Sequence, residues 1–231
     1  MRQKIASITQ MLRLPSVCVL CQQYHHQPVA VCESCVCLFK EIGPACSYCA
    51  HPLPDEKFLV CGLCIKEKPQ FDSTITAYVF EEPLRTLLHD FKYKEALYLR
   101  SFLAKLMLDS LPAQTLQTQC LVPVPLHPKR IRQRGFNQAA ELCKILAKKL
   151  ELRCELNLCK KIIHTEAQVT LVSKQRRKNL RNAFQSKPTE YQHITLVDDL
   201  MTTGSTANEL ARAFKQQGVE RVDLWCCARA V

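Results

Sequence analysis

Two adjacent carboxylates, Asp198 and Asp199, stand just ahead of a hydroxyl-rich run broken by one glycine, Thr202-Thr203-Gly204-Ser205-Thr206. Gly204 lets the backbone approach a ligand closely, and the free N–H groups that open a helix attract a phosphate. The Thr and Ser hydroxyls add donors to the same anion. Carboxylates repel phosphate, but they suit ribose hydroxyls or a hydrated Mg2+ beside it. A phosphate and a sugar diol held within a few residues imply a ribose 5-phosphate, with Asp198 and Asp199 as the acids nearest the reacting sugar. The plainer alternative is a buried strand, a capped helix and two solvated acids.

The second chemistry is metal binding. Of 15 cysteines, eight fall into four C-x-x-C pairs: Cys18/Cys21, Cys32/Cys35, Cys46/Cys49 and Cys61/Cys64. Four thiolates hold one Zn2+ tetrahedrally, and each C-x-x-C supplies two of them from one turn, so eight ligands make two structural zinc sites. Neighbouring pairs, first with second and third with fourth, are the simplest assignment; the spacing also leaves an interleaved arrangement, first with third and second with fourth, open. Metal binding would supply the folding energy that so short a segment lacks. A redox dithiol would need a thioredoxin-like βαβ pattern nearby, and none adjoins these pairs.

The elements that position these groups follow from periodicity. Ile194 to Val197 is a continuous apolar run, as in a buried parallel strand, and Ala207 to Gln217 is helical and closes at Gly218. In open α/β sheets ligands sit at the carboxyl ends of strands, so both acids and the turn are expected at a crevice. Ser73 to Phe80 reads as a strand. Pro83 opens a helix with Leu84, Leu87, Leu88 and Phe91 at helix spacing, and Leu97 to Leu111 is a second helix. Cys120 to Pro125 reads as a central strand stopped by its prolines. Pro128 to Arg134 is basic and lacks apolar periodicity, which suits a mobile flap over a polyanion or a solvated charge run. Asn137 caps the helix Gln138 to Leu150. Glu155 to Cys159 and Val222 to Cys227 are further strands. The alternation is that of a doubly wound α/β sheet.

ITLVDDLMTTGST, Ile194 to Thr206, resembles the signature of type I phosphoribosyltransferases, which bind 5-phosphoribosyl-1-pyrophosphate (PRPP). LVPVPLHPKRIRQRGFNQAAELCKILA (Leu121 to Ala147) and QVTLVSKQRRKNLRNAF (Gln168 to Phe184) resemble the ComF family of competence-associated, phosphoribosyltransferase-like proteins. The likeness extends to the cysteine pairs. It implies a doubly wound, mostly parallel sheet over 71–231, preceded by a double zinc ribbon over 1–70. It implies that 202–206 hold the 5-phosphate and that Mg2+ accompanies PRPP. Pro125, Leu126 and His127 would form the pyrophosphate loop, often built around an unusual peptide bond. Lys129, Arg130, Arg132, Arg134 and Arg176 would contact pyrophosphate or DNA. Gln168, Arg176 and Asn179 match a recurrent Q…R-x-x-N pattern. Lys92 and Tyr93 match a basic position of the family, although the same run also reads as a helix end with its complementary cation.

Bulk properties agree with polyanion binding. The 231 residues carry a net charge of +11, and Lys129 to Lys187 holds 16 Lys and Arg against 4 Asp and Glu. A basic concentration of this kind predicts nucleic acid or a pyrophosphate-bearing substrate as partner. No apolar run is long enough to span a bilayer, no signal peptide is apparent, and C-x-x-C usage fits a reducing cytoplasm. No G-x-x-x-x-G-K-S/T loop occurs, which excludes a P-loop ATPase engine. Three functions compete. The family resemblance implies a PRPP-binding competence protein that handles incoming single-stranded DNA with a competence helicase and a recombination mediator. The others are a metabolic phosphoribosyltransferase with an unknown acceptor, and a PRPP sensor without turnover.

Overall fold

In the computed structural model, residues 15–111, 116–163 and 182–231 are described. Their frame is a parallel sheet. In chain order the strands are β1 (Ser16–Val17), β2 (Tyr24–His25), β3 (Ser73–Ile75), β4 (Tyr78–Val79), β5 (Cys120–Pro123), β6 (Arg153–Cys154), β7 (Cys159–Lys161), β8 (Phe184–Ser186), β9 (His193–Met201) and β10 (Arg221–Arg229). The sheet runs β3-β10-β9-β5-β6 with every pairing parallel, and β4 also pairs with β10. The doubly wound α/β class expected from the alternation is the one observed.

Helices cover both faces. In chain order they are α1 (Glu33–Val36), α2 (Gly62–Lys66), α3 (Leu84–Tyr93), α4 (Arg100–Asp109), α5 (Pro128–Arg134), α6 (Gln138–Leu150) and α7 (Ser205–Lys215). Successive strand residues point to opposite faces. Leu121, Val197, Trp225 and Cys227 therefore join α3, α4 and α6 in one core, while Cys120, Val122, Leu196, Leu224 and Cys226 join α7 in the other. Cys18 and Cys35 belong to the first core, and Cys46, Cys49, Cys61 and Cys64 to the second.

The strand order makes a crevice. From β5 the chain steps outward through α6 to β6; from β9 it steps the opposite way through α7 to β10. The order thus reverses between β5 and β9, and ligands of open α/β sheets bind outside the carboxyl ends at such a point.

Several elements differ from their sequence expectation. The strand expected over 73–80 is two short strands, because the Ala77 carbonyl accepts from Ile42 N–H at 2.7 Å and Val79 N–H donates to the Lys40 carbonyl at 2.8 Å. The strand expected at 155–159 is replaced by β6 and β7. Glu155 N–H donates to the Leu121 carbonyl at 2.9 Å as the ladder ends, and Cys159–Lys161 instead pairs antiparallel with Phe184–Ser186. The basic run 128–134 forms a helix, α5. Its start carries proline, the His127 Nδ1 accepts from Lys129 N–H at 3.2 Å, and Gly135 ends it at φ 78°. Among the described residues the cis peptide is Glu82–Pro83, so the loop 125–127 contains no unusual bond. No helix among the described residues is long and apolar enough to cross a membrane.

Candidate functional site

β9 continues through the acid pair to Met201, because its ladder with β10 reaches Leu200↔Ala228 and Met201↔Arg229. The acids are therefore part of the strand and not the loop after it, and they face opposite sides of the sheet. Asp199 is 3% exposed and meets α3, where Lys92 Nζ lies 2.7 Å from its Oδ2. Burial works against the Lys92 ammonium, but the Asp199 and Asp198 carboxylates outweigh it and hold its pKa above the ordinary value. On the other side, burial and the charge of Asp199 push the Asp198 carboxyl well above its usual range, and Lys92 offsets this only in part. The Asp198 Oδ1 accepts from the Asp199 N–H at 2.9 Å. A half-buried acid held in this way gains most from a cation or a hydroxyl donor, and its hard oxygen atoms fit Mg2+.

Lys161, at the end of β7, belongs to the same locality. Burial lowers its pKa to about 8, the Arg130 charge adds to the shift, and Asp198 opposes it. Its Nζ sits 5.6 Å from the centre of the Phe184 ring. Nothing in its local sequence singles this residue out. Its placement depends on the pairing with β8, which no local pattern announces.

The turn after β9 is built as its composition suggests. Gly204 has φ 72° and ψ 2°, the left-handed conformation that favours glycine, and it caps α7. A side chain there would also lie 2.6 Å from the Met201 methyl. Thr203 Oγ1 and Ser205 Oγ are hydrogen-bonded at 2.8 Å, Thr202 and Thr203 are exposed, Thr206 is half-buried and Ser205 is buried. Eleven residues of helix stand behind the turn, so its open N–H groups carry the positive end of the dipole.

Arg229 holds this turn from below. It is 8% exposed; its Nε donates to the Cys49 carbonyl at 3.0 Å and its Nη1 to the Met201 carbonyl at 3.4 Å, with the Thr202 and Ala230 carbonyls also in contact. One guanidinium thus joins a cysteine of the second sulfur cluster to the hydroxyl-rich turn. Sequence reasoning missed it, since one cation at the end of an apolar strand looks like any other.

The remaining candidates lie around the β5 end of the crevice. Val124 N–H donates to the Val197 carbonyl at 2.9 Å, and Asn137 Nδ2 donates to the Val124 carbonyl at 3.0 Å. These bonds fix the base of the loop in which Pro125, Leu126 and His127 are half-buried. α5 follows with no buried residue: Lys129 and Arg132 are exposed, Arg130 and Arg134 half-buried. Arg176, with Gln168 and Asn179, lies outside the described residues.

The cysteines gather as neighbouring pairs. Cys18, Cys21, Cys32 and Cys35 form one group and Cys46, Cys49, Cys61 and Cys64 the other, with all sulfur atoms of a group within 4.8 Å. The interleaved arrangement is thereby removed. Zn–S bonds of roughly 2.3 Å in a tetrahedron require S···S edges of roughly 3.8 Å; Cys21–Cys32 is 3.8 Å and Cys49–Cys61 is 3.7 Å. Burial pushes the Cys18 thiol up, but N–H donors of Cys21, Cys32 and Leu20 overcome it and bring the pKa down to about 6. Cys46 is brought to about 7 in the same way. Both groups can hold a metal ion and fit zinc.

No family model matches the sequence. Among curated proteins, Competence protein F of Haemophilus influenzae is 33% identical over 92% of this chain and 96% of its own length. DNA utilization protein YhgH of Escherichia coli is 30% identical over 96% of this chain and its whole length. Competence protein ComFC of Bacillus subtilis is 27% identical over 87% of this chain and 90% of its own. Likeness at this level spans the cysteine groups, the acid pair and the hydroxyl-rich turn together, and on that ground the chain belongs to the ComF family.

Proposed function

We propose that this chain is a cytoplasmic, PRPP- and Mg2+-binding protein of phosphoribosyltransferase type that handles incoming single-stranded DNA in natural transformation. The observation that carries the reading is the turn Thr202–Thr206, opening α7 at the reversal of the strand order with Asp198 and Asp199 beside it. In this reading 202–206 hold the 5-phosphate, Asp198 faces the ribose diol, and Asp199 acts through its ion pair with Lys92, which fixes the strand end. Asp198 would also bind Mg2+, which when present offsets the charge of the pyrophosphate. The loop Pro125–His127 and the cations of α5 serve the pyrophosphate or the DNA backbone. Residues 1–70 act as a zinc-stapled module, suited to docking a competence helicase or a recombination mediator.

The DNA part of the reading is supported by the printed names of the relatives, competence and DNA utilization proteins. It is also supported by the charge imbalance over 129–187, since sequence-independent DNA binding is driven by Lys and Arg on phosphates. Calorimetry with PRPP and Mg2+ tests the pocket: the wild type binds, and the Asp198→Asn, Asp199→Asn double variant loses at least tenfold in affinity. Gel shifts with single-stranded DNA in rising salt test the partner. Binding at low salt that weakens steeply as salt rises is expected, and no binding at low salt would remove DNA from the reading.

A further inference from the structure

The last turn of α3 carries an exposed aromatic ring. Tyr93 follows Lys92, whose ammonium turns inward to Asp199, so the next side chain on the helix turns outward. Tyr93 remains 58% exposed although two side chains touch it. The Arg134 guanidinium lies 4.7 Å from the ring centre, and the His89 ring lies 4.9 Å away at a tilt of 43°. The imidazole is thus tilted against the phenol and the guanidinium lies over it, between the end of α3 and the end of α5. Gln138 ties the two elements together, its Nε2 donating to the Lys92 carbonyl at 3.2 Å and its Oε1 accepting from Arg134 at 3.4 Å. Beside the ring lies α5, with Lys129, Arg130, Arg132 and Arg134 and no acid.

An exposed ring with a guanidinium over one face, next to a row of cations, offers what an unpaired nucleobase requires: a flat surface to lie on and positive charge for its phosphates. A duplex offers no free base face, so the arrangement selects single strands. A ring that served only to pin α5 to α3 would be sealed, whereas this one is mostly in solvent. We infer that Tyr93 and Arg134 form a base-stacking platform for single-stranded DNA, with the cations of α5 tracking the adjoining phosphates. The inference rests on the DNA reading proposed above and adds to it the residues that touch the bases.

The test compares a thymidine oligonucleotide with an abasic one of equal length, at low salt, for the wild type and for Tyr93→Ala, Tyr93→Phe and Arg134→Lys. Stacking predicts that Tyr93→Ala weakens the thymidine strand about fivefold to a hundredfold and leaves the abasic strand unchanged. Tyr93→Phe should match the wild type. Arg134→Lys keeps the charge but loses the plane, and should weaken only the thymidine strand. Unchanged thymidine binding in Tyr93→Ala overturns the platform while leaving DNA binding intact, as does an equal loss on both strands. A wild type that binds neither strand overturns the DNA reading, and the platform with it.

Discussion

Lys92 and Asp199 form an ion pair of 2.7 Å that joins the last turn of α3 to the carboxyl end of β9. Asp199 is nearly sealed and Lys92 only about one-fifth exposed, so removing the cation leaves a charge without compensation. Lys92→Met should destabilise the protein by about 3 kcal/mol, the lower end for a broken buried pair because Lys92 keeps some solvent. Adding Asp199→Asn to Lys92→Met should restore part of that loss. Urea unfolding of both single variants and the double variant reads the coupling. Simple additivity would show that the pair is not a unit.

Gly204→Ala tests the turn. The left-handed backbone costs an alanine about 1–2 kcal/mol, and the Met201 methyl must move aside. Thermal unfolding should show a modest loss of stability, and calorimetry a fall of at least tenfold in PRPP affinity. Wild-type affinity in this variant would mean that the ligand does not approach the backbone here.

Zinc content should be two ions per chain, read by atomic absorption after dialysis. Because Arg229 bonds both to the Cys49 carbonyl and to carbonyls of the turn, chelation should reduce PRPP affinity through that guanidinium. Arg229→Gln should reproduce that loss with both metals still bound. If chelation leaves affinity untouched, the two sites are mechanically independent.

Lys161 gives a pH dependence with opposite signs for binding and for stability. With its pKa lowered to about 8, the ammonium and its help to an anionic ligand fade as pH rises through 8. Between that value and the ordinary lysine range the unfolded chain binds the extra proton, so this group's contribution to stability increases with pH there. PRPP affinity should therefore fall from pH 7 to pH 9, and Lys161→Met should flatten the profile.

What was legible in the sequence was local. The apolar run of β9, the glycine of the turn and the C-x-x-C pairs each carry their meaning within a few residues. α6 was read to its exact bounds because Asn137 caps it and its apolar positions repeat at helix spacing. α5 was missed because it buries nothing and so has no apolar period; its Pro128 start and Gly135 stop were nevertheless present. The two faces of the acid pair, the Lys92 contact and the reach of Arg229 depend on how far the β9–β10 ladder extends, and that is decided by tertiary pairing.

The segment Lys40–Ile42 lies along the outer side of β4, with Val79 N–H and the Ala77 carbonyl both bonded to it and Glu41 bridged to Tyr78. The opposite margin of the sheet is β6, two residues long. This segment between the two cysteine groups is thus the cover over the β4 part of the sheet's margin, and its hold there depends on the sulfur clusters on either side of it. Stripping the metal would bare unpaired backbone donors and acceptors, an invitation to neighbouring copies. The demetallated protein is expected to self-associate before it unfolds, and light scattering during chelation would register the assemblies ahead of any loss of helix signal.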